Sequence, residues 1–286
     1  MTAQACSDRW MARAAEIDQA IIAESARWGD YLSPSAPRTR NADNEYNYRQ
    51  DSDFHYLTGF GEPEAVAVLA PERDPADYIL FVRDRNPERE IWDGKRAGTE
   101  GAKSAYAAAD AFPITDIDEI LPGLLEKRSR VYYTMGRYPD FDQRIVGWVN
   151  TLRAQARAGR HPPQEFVALD HVLHDMRLYK SRAELATMRR SGRIAAQAHL
   201  RAMRHCRPGM MEYEIMAELV HEFGRHGADV SYHPIVGGGA NSCVLHYRAN
   251  DARLEDGDLL LIDAGCELDY YASDITRTFP VNGRYT

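Results

Sequence analysis

Two aspartates, Asp263 and Asp274, lie eleven residues apart in the segment DGDLLLIDAGCELDYYASDITRTFP, residues 256–280. Asp263 ends a run of four apolar residues, 259–262, that reads as a strand. Asp274 lies in a second run, 270–279, rich in aromatic and β-branched residues. On neighbouring antiparallel strands two such carboxylates would converge on one pocket. Hard oxygen ligands of this kind suit a divalent ion such as Mn²⁺. Asp263, at the end of an apolar run, is expected to head toward the interior, and Asp274 to face the same environment. A buried ionised carboxylate costs several kcal/mol unless it is paired or bound to a cation. Turn and strand-edge acids would satisfy the same spacing, so the residues alone leave both readings open.

His246, in NSCVLHY at 241–247, is the second chemical candidate. A histidine after two apolar residues is more often a satisfied core or edge group. Its functional reading is a hydrogen-bond donor or proton carrier beside a metal centre, for which a pKa near neutrality suits it. Gly237, Gly238 and Gly239 precede it without the Lys-Ser/Thr of a P-loop or the spacing of a dinucleotide site. Glycine there is expected to permit close backbone approach around a cleft. Cys6, Cys206, Cys243 and Cys266 form no CxxC pair and read as free thiols in a reducing compartment.

The elements that would carry these groups fall in two parts. The 286 residues favour one large or two medium domains. Helical spacing of Met11, Ala14, Ala15, Ile17, Ile21 and Ile22 predicts a helix over 8–29, and two prolines predict a loop over 32–38. Residues 65–69 (AVAVL), 78–82 (YILFV) and 131–133 read as strands. A helix with Thr115 as N-cap runs to about Leu125, and another spans 142–158. The SRAE of residues 181–184 is a capping box opening an amphipathic helix to about Cys206, and a second helix spans 211–226. Beyond Gly227 come short strands and glycine-rich turns. The boundary is expected between residues 176 and 177, leaving 1–176 and 177–286.

Net charge is −8, and the sequence pI is about 5.7, so neither nucleic acid nor an anionic membrane is expected as a partner. No stretch has the apolar length of a membrane span, and Asp8, Arg9 and Arg13 interrupt any signal-like segment. A cytoplasmic location is the expectation.

Taken together, these residues resemble the aminopeptidase P branch of the metallopeptidases that share the pita-bread fold with prolidase, creatinase and methionine aminopeptidase. The resemblance is carried by YRQDSDF at 48–54, YLTGF at 56–60, EPEA at 62–65, EIW at 90–92 and HDMRLYKS at 174–181. HEF at 221–223, IVG at 235–237, LHY at 245–247 and the Asp263/Asp274 block extend it. It implies an α/β N-terminal domain of creatinase type, followed by a partial α+β pita-bread catalytic domain. The implied activity is release of the N-terminal residue from peptides with proline second, with prolidase-like dipeptide cleavage as the competing reading. By resemblance, Asp263 and Asp274 ligate a pair of divalent ions, usually Mn²⁺, with Co²⁺ or Zn²⁺ as alternatives. His246 would contact substrate or the developing tetrahedral intermediate. Trp92 would reach a neighbouring subunit's site in a homodimer or homotetramer, or else be a packed strand tryptophan.

The family's site also needs a histidine and two glutamates, which the resemblance places beyond Thr286. The chain alone is therefore expected to hold part of the dinuclear site and to be inactive unless a C-terminal segment completes it. It would be one piece of a split enzyme with a separate C-terminal fragment, a truncated product, or a noncatalytic binding module. An incomplete sheet would expose apolar edges at 259–262 and 270–279.

Overall fold

A computed structural model describes residues 20–24, 39–42, 44–71, 73–74 and 76–285. The chain divides into two compact units, Met1–Tyr179 and Lys180–Thr286.

In the first unit the described strands are β1 (Ala20–Glu24), β2 (Thr39–Asn41), β3 (Asn44–Glu45), β4 (Val66–Leu69), β5 (Tyr78–Val82), β6 (Asp110–Pro113), β7 (Arg130–Tyr132) and β8 (Glu165–Val167). The described helices are α1 (Ser52–Thr58), α2 (Pro87–Asp93), α3 (Gly98–Tyr106), α4 (Ile117–Leu125), α5 (Pro139–Ala154) and α6 (Asp170–Leu178). Among these residues a mixed sheet runs in the order β6-β5-β4-β1-β7-β8. The runs at β4 and β5 are buried along their whole length because both faces of the sheet are covered. Ala67, Leu69, Leu80 and Val82 pack with Phe54, Leu57 and Leu173 on one face. Val66, Val68, Ile79 and Phe81 pack with Leu121, Phe141 and Trp148 on the other.

Two expectations are corrected here. Ala20–Glu24, placed within a helix over 8–29, forms a strand, pairing with β4 antiparallel and β7 in parallel. Ile22 is fully buried there, so pairing with two neighbours outweighs local helical spacing. The rest of that segment, and the loop at 32–38, lie outside the described residues. Thr115 does not cap α4. The helix is entered through a 3₁₀ turn, Ile114–Asp116, and the Thr115 hydroxyl donates to Asp116 Oδ1 at 2.9 Å.

The second unit opens with α7 (Arg182–His205) and α8 (Glu212–Gly224). The capping box is formed: Glu184 N–H donates to Ser181 Oγ at 3.3 Å, and Ser181 N–H donates to Glu184 Oε2 at 2.6 Å. Ser181→Ala is expected to destabilise this unit by about 1 kcal/mol. Chemical denaturation checks it, and an unchanged midpoint would refute the cap's contribution. The strands are β9 (Asp229–Val230), β10 (Ile235–Gly238), β11 (Leu259–Ala264), β12 (Cys266–Leu268), β13 (Tyr271–Ala272) and β14 (Ile275–Pro280). They form two sheets, β10-β11-β14 and β13-β12-β9. Ile194, Ala195, Ala198 and Ala202 of α7 and Ile215, Leu219 and Phe223 of α8 pack with Leu260, Ile262, Ala264 and Phe279. The 259–262 run is thus the central strand and not an exposed edge; among the described residues β10 and β14 lie at the sheet's borders. Cys206 and Cys266 are buried, Cys243 is exposed, and all three are free; Cys6 lies outside the described residues. Among the described residues no helix is long and apolar enough to cross a membrane.

Candidate metal centre

A close backbone approach brings the two aspartates together. β11 passes through Gly265 into β12, turns at Asp269 and Tyr270, and returns through β13 and Ser273 to Asp274 and β14. Ser231 N–H donates to Gly265 O at 3.0 Å, and Ser231 Oγ donates to Ser273 O at 2.8 Å. Cys266 N–H donates to Ser273 Oγ at 3.0 Å, and Ser273 N–H donates to Cys266 O at 2.8 Å. In the β11–β14 ladder Asp263 faces Thr276 and Ala264 faces Ile275, so Asp274 sits one residue before the first paired position.

Tyr232, the residue after Ser231, reaches both carboxylates. Its hydroxyl lies within hydrogen-bond range of Asp263 Oδ1, and Asp274 Oδ1 is 3.0 Å away. A phenol has one proton, so it donates to one carboxylate at a time. Burial, and then the two carboxylates, push the Tyr232 pKa well above its ordinary value and keep the phenol protonated.

The expected burial of the aspartates is not found: Asp263 is half-buried and Asp274 is exposed. Along β11, Leu260, Ile262 and Ala264 face the core, while Leu259, Leu261 and Asp263 occupy the opposite face. The apolar run is therefore a two-faced strand, and period-two alternation sends Asp263 away from the core.

His246 is exposed on the turn at residues 245–246, which follows a 3₁₀ turn, Gly239–Cys243. It takes no part in the hydrogen bonds that join the aspartates. Its loop is tied to theirs by His233, the neighbour of Tyr232, whose Nε2 donates to Arg248 O at 3.2 Å. The glycines before it do allow close approach: a Cβ on Gly238 would meet Leu254 Cδ2 at 2.5 Å. Trp92 belongs to the first unit and is not a packed strand residue. It lies on α2 with 84% of its surface exposed.

Sequence reasoning missed two side chains here. Tyr232 is 31 residues from Asp263 and carried no motif. Glu212, at the start of α8, is fully buried, and its carboxylate accepts bonds from residues up to 40 positions away. In the first unit, ligand atoms of Asp53, Asp170 and His174 lie within 4.8 Å of one another. Asp53 there is paired with Arg177 and Arg137, which neutralise it, so the group reads as an ion-pair network.

Asp263, Asp274 and the Tyr232 phenol form an all-oxygen set, which fits a hard divalent cation better than a thiophilic one. Residues 31–132 match the family Aminopeptidase P, N-terminal domain, and residues 186–286 match Metallopeptidase family M24. The chain joins an aminopeptidase P N-terminal domain to M24 metallopeptidase sequence. The Xaa-Pro aminopeptidase of Escherichia coli K12 is 46% identical over 271 residues, covering 94% of this chain and 62% of that protein. The mitochondrial intermediate cleaving peptidase 55 of Arabidopsis thaliana is 37% identical, over 84% of this chain and 47% of that one. The solved structure of Pseudomonas aeruginosa aminopeptidase PepP superposes with a TM-score of 0.92 at 55% identity, covering 99% of this chain and 62% of that chain. This chain thus spans less than two thirds of the length of these relatives. The creatinase-type N-terminal domain and partial pita-bread domain expected from the sequence are borne out. Asp263, Asp274, Tyr232, Glu212 and His246 all fall within the M24 match, and Trp92 within the aminopeptidase P match.

Proposed function

We propose that this chain supplies the N-terminal domain and the first part of the metal centre of a cytoplasmic Xaa-Pro aminopeptidase. Its substrates would be peptides with proline second, from which it releases the N-terminal residue. The observation that carries this reading is the meeting of Asp263 and Asp274 at the Tyr232 hydroxyl, within M24 sequence. Solved relatives point the same way. A single-residue variant of E. coli aminopeptidase P has been solved in complex with substrate, and the Zn-substituted enzyme in complex with product.

Asp263 and Asp274 would hold the ions, with Mn²⁺ as the proposed metal and Co²⁺ or Zn²⁺ as alternatives. Bound there, divalent ions supply Lewis acidity toward a peptide carbonyl. Tyr232 would donate its single proton to one carboxylate or the other, keeping both at its hydroxyl. His246, exposed on its turn, would donate to a substrate carbonyl as charge builds on it. A proline amide has no N–H, so the pocket must select the ring and not a backbone donor. Residues 1–176 would serve assembly into a homodimer or homotetramer, in which the exposed Trp92 reaches a neighbouring subunit's site.

The test is a product assay on the full-length gene product loaded with Mn²⁺. Xaa-Pro-Yaa peptides are expected to lose their first residue, and Xaa-Ala-Yaa peptides are not. Cleavage of Xaa-Pro dipeptides alone would replace the proposal with a prolidase-like activity, and no cleavage of either would sink both. Among the described residues, Asp263 and Asp274 belong to no cluster of three His, Cys, Asp or Glu ligands. Two carboxylates offer four oxygens, whereas hard ions take several ligands each. The 286-residue chain by itself is therefore expected to be inactive with Mn²⁺.

A further inference from the structure

Glu212 opens α8, is 0% exposed, and has a carboxylate filled by four donors. Oε1 accepts from Gly238 N–H at 2.8 Å and from Asn241 Nδ2 at 3.1 Å. Oε2 accepts from the Tyr247 hydroxyl at 2.8 Å and from Ala252 N–H at 3.0 Å. Glu212 N–H also donates to Ala252 O at 3.0 Å, so the first residue of the helix is pinned to the loop in both directions. These donors occupy both ends and the middle of the 238–252 loop. Tyr247, the residue beside His246, is one of them, and its pKa is pushed up to about 12 by burial and by the bond to Glu212. A negative charge at the start of a helix is further favoured by the helix dipole.

The chemistry of this socket demands a carboxylate. Gly238 and Ala252 present backbone N–H groups that cannot reverse, one toward each oxygen. An amide in either orientation would set an NH₂ group against one of them. None of the four donors lies on β11 or β14, the strands whose ladder carries Asp263 toward Asp274.

We infer that Glu212 is a positioning residue for the proposed reaction, its buried carboxylate holding the loop that presents His246 to substrate. The inference rests on the reading of His246 as a substrate-facing group. A reacting group displaced by about 1 Å costs on the order of 10²-fold in rate. Glu212→Gln should therefore act on kcat, through His246, and leave the metal carboxylates undisturbed.

The experiment compares Glu212→Gln, His246→Ala and the double variant in the full-length protein with Mn²⁺ and an Xaa-Pro-Yaa peptide. Bound Mn²⁺ and hydrogen exchange at residues 239–251 are measured on the same samples. The expected result is a kcat loss of about 10- to 100-fold for Glu212→Gln, with KM within a few-fold and Mn²⁺ content unchanged. On the His246→Ala background that loss should disappear, because the two act as one unit. An equal loss on both backgrounds, lost Mn²⁺, or an unchanged kcat would overturn the inference. If Glu212→Gln fails to fold, Tyr247→Phe takes its place. It removes one of the four donors and should give a smaller kcat loss that also vanishes without His246. If the wild-type protein cleaves no Xaa-Pro peptide, the proposed function fails, and the exchange measurement decides the loop. Several-fold faster exchange in Glu212→Gln supports the positioning, and unchanged exchange refutes it.

Discussion

Asp263→Asn in the full-length protein is expected to reduce peptide turnover by roughly three orders of magnitude or more, with the fold intact. Asparagine keeps the size of the side chain and an oxygen for the Tyr232 hydroxyl, but removes the charge that would bind a cation. Lewis-acid stabilisation by a bound ion contributes several kcal/mol to a transition state. At about 1.4 kcal/mol per tenfold, that corresponds to the predicted loss. Stability should respond in the opposite sense. Asp263 and Asp274 are like charges sharing one hydroxyl, so neutralising one relieves repulsion in the metal-free protein. The metal-free variant is expected to melt at or slightly above the wild-type temperature, while Mn²⁺ titration calorimetry shows weakened binding. Turnover within tenfold of wild type would remove Asp263 from the metal centre. A collapse in melting temperature would mean instead that the carboxylate is structural.

What the sequence made legible is what local chemistry decides. The uninterrupted apolar runs at 66–69 and 78–82 are strands buried on both faces, and the Ser181–Glu184 box caps a helix in the position its four residues dictate. The aspartate pair was legible as residue types at a spacing, and the strands carrying it pair as an antiparallel ladder. Apart from the Thr115 cap, which a local 3₁₀ turn displaces, the failures share one cause, which is that distant contacts decide them. Ala20–Glu24 has helical spacing in its neighbourhood, yet a place between β4 and β7 makes it a strand. The burial of Asp263 was misjudged because an apolar run does not reveal which of its two faces meets the core. Tyr232 and Glu212 could not be found from motifs, since each acquires its role only when loops 26 to 42 residues away fold against it. Gly265 was visible in the DAG triplet, but its function depends on Ser273 arriving beside it.

That arrival makes Gly265→Ala the most damaging single methyl in the second unit. A Cβ at Gly265 would stand 1.7 Å from Ser273 O, 2.5 Å from Ser273 C and 2.7 Å from Ser231 Oγ. Two of these atoms are backbone, so no rotamer change relieves the overlap. The Ser273 carbonyl is itself held by Ser231 Oγ at 2.8 Å, and Ser231 precedes Tyr232. Pushing Ser273 away therefore moves Asp274, the next residue, and loosens the segment that carries the bridging phenol. The cost is expected at or above the upper end of the ~1–3 kcal/mol typical of overpacking. At about 2–4 °C per kcal/mol this lowers the melting temperature by roughly 6–12 °C. Mn²⁺ affinity should fall with it, because the displaced groups are the ones proposed to hold the ion. Gly61→Ala is the matched control: Gly61 is exposed, has no atom within 4 Å of the added methyl, and should change stability by no more than about 0.5 kcal/mol. Equal melting temperatures for the two variants, with Mn²⁺ bound as tightly as in wild type, would refute the close approach at Gly265 as the feature that brings the aspartates together.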